Sequence, residues 1–595
     1  MKHRLEIDGL RTLAILPVLF YHAHFDFLSG GFLGVDIFFV ISGYLITSLI
    51  YQEIKEKRFS LIHFYERRVR RIIPVLYLVL FIFSLIFYFT MLPWDYENFG
   101  AELVSTIFFG NNIFHYLTSG NYWGVETEFK SFIHTWSLGI EEQFYFIFSL
   151  LALALLNKNK LIIFIFLILI VLTSLILSLT NYKTNEMSVF YLLHFRAWEL
   201  IVGSIIALAP NRINITRIKN ELITFISLLF IFAGFYFARN TSLNPTAAIF
   251  VVTGTALLIF FTKNRCFLQS LLKSKIFVTI GLISYSAYLW HQPLFVLFRL
   301  NKVNEPLPYE YIPIILGTLV LSYFSWRYFE NFFRFSSYLN RKKRYFIFFI
   351  STFILATIGL SIFLKSGLPE RFQDLNINNK VKNANVEFNM SALKYKDILF
   401  DRNYKKNLLI IGDSFARDFI NSGTVNGYFS SYNLSNINNI SFCNYTKNII
   451  DTNIQDIITN ANYLLFVSSD NGRNCYDFKK IEKMFLKKQV YFIGIKDFGW
   501  STLANLNKSG SMKSEFKVKI KSDIQNIHND LNKKFSKSNN YVNLLKYYMD
   551  EKNMVRVFND DGKLLSFDTK HLTREGALFL GKLWFNDINL SKFKH

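Results

Sequence analysis

The chain has 595 residues, 51% of them apolar and 18% aromatic, with a formal net charge of +23. A mean hydropathy of +0.24, together with 66 phenylalanines, excludes a disordered or collagen-like polypeptide. The length exceeds one ordinary domain of about 100–200 residues. Apolar runs recur from Leu10 to Leu364, and from Lys365 onward the chain turns rich in Asn, Lys and Asp. A membrane part followed by a soluble part is expected.

A helix crossing about 30 Å of hydrocarbon needs roughly 20 apolar residues. Spans are predicted at 10–25, 33–50, 73–92, 136–156, 160–180, 190–209, 221–239, 245–263, 276–299, 309–330 and 345–364. The first two are short and broken by polar residues, which places them inside a bundle. The stretch Asn98–Leu117 is interrupted by Asn111 and Asn112 and reads as an interfacial or re-entrant piece. With the N-terminus in the cytoplasm, inward loops hold about 23 Lys and Arg, and outward loops about four. An odd number of spans then puts residues 365–595 outside the cell membrane. No small-residue cleavage site follows Met1–Arg11, so the first span is expected to stay as an anchor. The predicted domains are a ten-helix membrane domain over 1–340, an eleventh helix over 341–366, an extracytoplasmic linker over 367–405 and an α/β domain over 406–595.

Charged groups inside spans are expensive and are candidates for function. Arg11 and His22 are eleven residues apart, about 20° from whole turns, so both face one way with a rise of about 16 Å between them. A snorkelling arginine and a satisfied core histidine is the competing reading. Arg67, Arg68, Arg70 and Arg71 lead into the third span, where guanidinium forks can grip phosphate oxygens; a topology signal with anionic-lipid contact explains them equally well. The pairs Arg196 with Glu199 and Arg327 with Glu330 have ion-pair spacing on a helix. Glu141 and Glu142 stand at a span entrance and need partners.

The motifs Ile7–Ala14, His22, Gly31–Ile46, the arginine cluster, Trp136–Tyr145 (within the longer stretch His134–Tyr145) and Ser284–His291 occur in an order that resembles the acyltransferase-3 family over about residues 1–340. Resemblance implies ten membrane helices and transfer of acyl groups, usually acetyl from acetyl-CoA, onto extracytoplasmic glycans. It carries a catalytic arginine–histidine pair onto Arg11 and His22, and the donor-binding arginines onto Arg67, Arg68, Arg70 and Arg71. Glu330-Asn331 stands where the family often has Glu-Pro, a departure at a helix end.

In the soluble part, Asn407–Arg417 reads as a buried strand, a tight turn and a helix start, with Ser414 at the turn. Asp568 and His571 are three apart, close enough for a carboxylate to hold a ring tautomer while the other nitrogen takes a serine proton. Tyr463–Ser468 and Val490–Ile495 read as further strands. First and last motifs together resemble the SGNH hydrolase type over about residues 400–595, which implies Ser414 as nucleophile, His571 as base and Asp568 as its orienter. The middle motifs are poor. Asn471 is the nearest match to an oxyanion donor, and the usual glycine near Phe442-Cys443 is not evident. Cys443 and Cys475 can pair in an oxidising compartment or remain as two thiols.

The expected function is a multi-pass inner-membrane O-acetyltransferase with its C-terminal domain periplasmic. Acetyl-CoA is the donor, no cofactor is bound permanently, and no metal is needed. The expected acceptor is a surface glycan, lipopolysaccharide O-antigen or core, with peptidoglycan as the alternative. A glycan or lipid transporter with an outer binding domain, and an outer esterase acting alone, are the readings from other classes. Residues 365–595 carry an excess of 12 positive charges, which favours an anionic glycan or membrane surface; nucleic acid is not an expected partner.

Overall fold

A computed structural model describes residues 4–118, 127–155, 160–209, 215–240, 244–262, 266–335, 340–375, 379–401, 406–438, 441–442, 445, 452–469, 481, 483–510, 513–536 and 538–594. Two compact units emerge, Met1–Phe298 with Leu307–Leu368, and Arg299–Pro306 with Pro369–His595.

The first unit is helical. It runs through α1 (Leu5–His22), α2 (Gly34–Lys55), α3 (Leu61–Thr90), α4 (Pro93–Ile107), α5 (Asn111–Thr118), α6 (Trp136–Leu155), α7 (Lys160–Asn181) and the short α8 (Glu186–Tyr191). It continues through α9 (Leu193–Leu208), α10 (Arg217–Phe237), α11 (Pro245–Phe261), α12 (Phe267–Leu272), α13 (Lys275–Leu300), α14 (Ile312–Phe324), α15 (Asn331–Phe335) and α16 (Arg341–Leu364). Helices stand at all eleven positions expected for spans. Among the described residues, eight stretches are long and apolar enough to cross a membrane. α1 and α13 carry several buried polar residues, and α11 has 17 residues.

The burial is inverted relative to a soluble protein. Leu161, Ile165, Leu169, Leu172 and Ile176 line the outside of α7, while Asp8, Asp36, Glu102, His134, Glu199 and His291 are buried. Only an apolar solvent makes that distribution favourable. Between α2 and α9 the backbones touch: a Cβ on Gly43 would lie 1.8 Å from the Leu200 carbonyl oxygen, and one on Gly203 2.1 Å from that of Val40. Small residues at such a seam allow close helix packing in lipid, and Thr47 donates across it to Ser204 at 2.8 Å.

The stretch 98–117 does not form one continuous helix. α4 and α5 are separated at Phe108–Gly110, where Phe109 has φ 54°. The two asparagines that broke the apolar pattern fasten the turn from inside: Asn111 donates to the Phe132 carbonyl at 2.6 Å and Asn112 to that of Tyr191 at 3.1 Å.

In the second unit, β1 (Asn407–Gly412), β2 (Asn433–Asn438), β3 (Tyr463–Val467), β4 (Gln489–Ile493) and β6 (Tyr541–Val542) form a parallel sheet in the order β2-β1-β3-β4-β6. β5 (Lys517–Lys519) and β7 (Met554–Arg556) make a separate antiparallel pair. Runs such as Leu408–Ile411 and Leu464–Val467 are buried throughout, as expected for strands covered on both faces. The covering helices are α17 (Asn379–Met390), α18 (Ser414–Val425), α19 (Thr452–Asn460), α20 (Thr502–Ser509), α21 (Ser522–Lys534) and α22 (Arg574–Trp584). The architecture is thus the expected polytopic bundle plus an α/β domain. Within 367–405, the segment read as a linker, α17 lies against the α/β core: Asn421 donates to the carbonyls of Phe388 and Asn389 at 2.9 and 3.0 Å. Cys266 is a buried free thiol; Cys443 and Cys475 lie outside the described residues.

Candidate active site

In the bundle, Arg11 is held by Asp8, one turn earlier, through an ion pair of 2.9 Å. Arg71, Glu330 and Glu141 lie within its electrostatic reach. The arginine cluster sits on the first turns of α3, and three of its members are already engaged. Arg67 pairs with Glu53 at 2.9 Å, Arg68 with Glu142 at 3.2 Å, and Arg70 with Glu66. Arg68 also lies 4.1 Å over the Tyr145 ring, whose hydroxyl donates to Glu141 at 2.9 Å. Among the described residues no ion pair engages Arg71. Glu141 and Glu142 therefore have the partners that their position required.

Two further pairs were expected. Arg196 meets Glu199 at 2.7 Å and also Asp36 at 3.2 Å, making a buried triad of two carboxylates and one guanidinium. Arg327 does not meet Glu330. Residues Ser325–Glu330 form a π-helical turn, whose wider bonding shifts the face that a three-residue spacing presents, and Glu330 pairs instead with Arg334 at 3.5 Å.

His22 closes the C-terminal end of α1. Its ring centroid is 5.3 Å from that of His291 on α13, and His291 is 5.0 Å from His134, in the 3-10 turn Ile133–Thr135 that leads into α6. The Nδ1 of His291 bonds the Tyr288 carbonyl at 2.6 Å, which makes that nitrogen the N–H and leaves Nε2 basic. The Tyr288 hydroxyl donates to the His134 carbonyl at 2.6 Å. Three imidazoles thus converge beside the C-terminal end of α1, about 16 Å along that helix from Arg11. Arg11 and His22 occupy two levels of the same helix rather than one contact. Among the described residues no group of three or more His, Cys, Asp or Glu has metal-binding geometry.

In the α/β unit, Ser414 begins α18 directly after β1, at the carboxyl edge of the sheet where β1 and β3 part, the usual crevice of such folds. The preceding residue, Asp413, caps the helix by accepting from the Phe415 N–H at 2.9 Å and is tied to the end of β3 by the Ser469 N–H at 2.9 Å. Gly412 is required there, because a Cβ would sit 1.7 Å from the Val467 carbonyl oxygen. One turn along α18 from Ser414, Asp418 accepts from the Leu572 N–H at 3.2 Å, bringing the His571 turn to the same helix.

That turn is organised by Asp568. Its Oδ1 accepts from the N–H groups of Lys570 and His571 at 2.9 and 2.7 Å, and its Oδ2 from Nδ1 of His571. Burial alone would raise the Asp568 carboxyl, but the His571 ring and these donors hold it well below the usual carboxylate range. Thr569 has φ 64°, a strained value for a β-branched residue, and Lys521 donates to its hydroxyl at 3.2 Å. Asp497, behind Lys521, shows the opposite balance: burial pushes its carboxyl up to about 6, against the Lys521 charge and the N–H groups of Lys521 and Gly499. Asn471 lies outside the described residues.

Residues 4–327 match the family model for an acyltransferase domain, Acyl_transf_3. The chain belongs to the acyltransferase-3 family. It is 31% identical over 369 residues to the peptidoglycan O-acetyltransferase OatA of Listeria monocytogenes, a match covering 58% of each chain. The putative peptidoglycan O-acetyltransferase YrhL of Bacillus subtilis is 28% identical, with 57% of this chain and 56% of that protein covered. The O-acetyltransferase OatA of Staphylococcus aureus is 29% identical, with 55% and 56% covered. The match thus spans little more than half the length of these relatives. No solved structure matches the chain.

The acyltransferase-3 domain contains two imidazoles beside His22 that the sequence reading quoted inside motifs but did not assign. His134 and His291 approach His22 from segments more than 100 residues away, so no local spacing encodes the contact. The signal available was chemical: His291 lies inside an apolar helix and His134 in the turn leading into another, places where an ionisable group needs a reason to be.

Proposed function

We propose that this chain is a membrane O-acetyltransferase that takes acetyl from a thioester donor, acetyl-CoA, at the cytoplasmic face and delivers it to hydroxyls of peptidoglycan outside the membrane. The observation that supports this reading is, in one acyltransferase-3 chain, a second unit in which the turn carrying Asp568 and His571 is bonded through Leu572 to the helix that Ser414 begins. The lipopolysaccharide acceptor expected from sequence gives way to the alternative, because two of the relatives are named for peptidoglycan.

The donor's phosphates meet the arginine-rich start of α3, where Arg71 is the member that no ion pair engages among the described residues. Arg11, pinned by Asp8, contributes charge at the same level. Further along α1, His22 takes the proton of a carrier hydroxyl as that oxygen attacks the thioester carbon, and the CoA thiolate leaves with that proton as the C–S bond breaks, with His291 and His134 beside His22 able to share the proton meanwhile; the acetylated carrier then passes outward. The second stage runs on Ser414. Its Oγ attacks the acyl carbon as His571 Nε2 takes the proton, the carrier leaves with that proton, and an acetyl ester remains on Oγ. A glycan hydroxyl then attacks the ester, giving its proton to His571, which returns it to Ser414 as the acetylated sugar departs. Asp568 keeps the Nδ1 proton in place throughout. The α/β unit works on the outer face of the cytoplasmic membrane, as the charge bias of the loops supports.

The test is mass spectrometry of muropeptides from cells lacking the gene and carrying the wild-type chain, His22→Ala or Ser414→Ala. Acetylated muropeptides are expected only with the wild type. Full acetylation in either variant overturns the two-stage scheme, and acetylation confined to another glycan overturns the acceptor.

A further inference from the structure

Lys496, just beyond β4, is 3% exposed, and Asp418 is 0% exposed. An ammonium at that depth is costly unless its donors are used, and each of its three donors has a partner. One goes to Asp418 Oδ2 at 2.8 Å. A second goes to the Lys570 carbonyl. The third side faces the Phe415 ring, with Nζ 3.6 Å from the centroid. Asp418 is equally committed: Oδ2 also accepts from the Leu572 N–H at 3.2 Å, and Oδ1 from Asn389 Nδ2 at 2.5 Å.

The partners are not scattered. Lys570 and Leu572 are the two neighbours of His571, and Phe415 is the neighbour of Ser414. One buried ion pair thus touches the chain on both sides of the base and directly beside the nucleophile. Stability does not account for it, since apolar replacements of a buried pair are commonly neutral or stabilising. What apolar side chains cannot do is bond the Lys570 carbonyl and the Leu572 N–H together.

We propose that Lys496 and Asp418 are positioning residues, which lock the turn carrying His571 against the helix start carrying Ser414. The proposal rests on the reading of Ser414 and His571 as nucleophile and base. The charged groups on the elements packed around this turn are Asp568, bonded to His571, Lys570 and Arg574 along the chain, Asp418 from α18, Lys496 after β4, Lys521 bonded to Thr569, and Asp413 beside Ser414. Lys496 and Asp418 carry opposite signs and bond the residues on either side of His571, so removing them one at a time should change the proton affinity of His571 in opposite directions.

The experiment measures the rate at which a fluorophosphonate labels Ser414 in the purified full chain, from pH 5 to 9. Asp418→Asn and Lys496→Met are each expected to slow labelling at least tenfold. The pH midpoint should rise in Lys496→Met and fall in Asp418→Asn, while Lys496→Arg keeps the wild-type midpoint and most of the rate. A midpoint unmoved in either charge-removing variant, or moved the same way in both, overturns the positioning role. Should Lys496→Met fail to fold, the midpoints of Asp418→Asn and Lys496→Arg decide alone. Wild-type labelling that Ser414→Ala leaves intact refutes the underlying triad, an outcome distinct from the others.

Discussion

Replacing Asp568 by Asn removes a charge while keeping the shape of the turn. The amide oxygen can still accept from the Lys570 and His571 N–H groups, as Oδ1 does now at 2.9 and 2.7 Å. What is lost is the anion facing His571 at the moment its ring becomes an imidazolium. Unit charges about 4 Å apart interact by about 4 kcal/mol at an effective dielectric constant near 20. The Asp568 side chain is 35% exposed, so solvent screening reduces this to about 2–3 kcal/mol, or roughly 30- to 150-fold in rate. An amide N–H turned towards Nδ1 would also favour the wrong tautomer, adding to the loss. The assay is the burst of nitrophenol as the full chain forms its acetyl-enzyme from p-nitrophenyl acetate at pH 7. Asp568→Asn is expected to slow the burst by about 100-fold with a similar KM. A burst rate within threefold of wild type would refute the assignment of Asp568 as the orienting anion.

Arg71→Ala should raise KM for acetyl-CoA about tenfold, the loss of one charge-assisted contact, whereas Arg70→Ala, which removes the pair with Glu66, should raise it less; steady-state kinetics with varied donor checks both. His134→Asn should lower acetyl transfer at least tenfold while leaving acetyl-CoA binding, read by calorimetry, unchanged. Gly203→Val should separate α2 from α9, because its Cβ position is 2.1 Å from the Val40 carbonyl oxygen, and should lower the melting temperature in detergent by several degrees. Asp497 has a folded value of about 6 against 3.8 for the free group. Stability from its protonated form is therefore complete below pH 3.8, falls as pH rises through 6, and is absent above, a difference of at most about 3 kcal/mol. Asp497→Asn should consequently melt higher than wild type at pH 8 and similarly at pH 4, as thermal melts of the full chain will show.

The bundle was legible because its spans are long apolar runs separated by basic loops, a pattern that lipid imposes directly. The counter-charges were only partly legible. Glu66 stands four residues before Arg70 and could be paired by spacing, but Glu53 and Glu142 reach Arg67 and Arg68 from other helices. Ser414, Asp568 and His571 stood out through short motifs that carry their own geometry. Lys496 and Asp418 did not, since a lysine and an aspartate 78 positions apart look like ordinary surface residues until the sheet brings them together. The π-helical turn before Glu330 also left no mark in the sequence, which is why the expected pair with Arg327 was misplaced. α17 escaped notice for a different reason: it docks through Asn385 and Asn389 rather than through an apolar stripe.

That docking bears on how the α/β unit can be cut free. A truncation beginning at residue 406, the boundary that composition suggests, would delete the Asn389 amide that caps Asp418 Oδ1 and the Asn385 oxygen that accepts from the Arg574 N–H. The excised fragment would then carry a buried carboxylate with one oxygen stripped of its donor, next to the very turn it supports. Low turnover in such a fragment would report the site of the scissors rather than the chemistry of the intact chain.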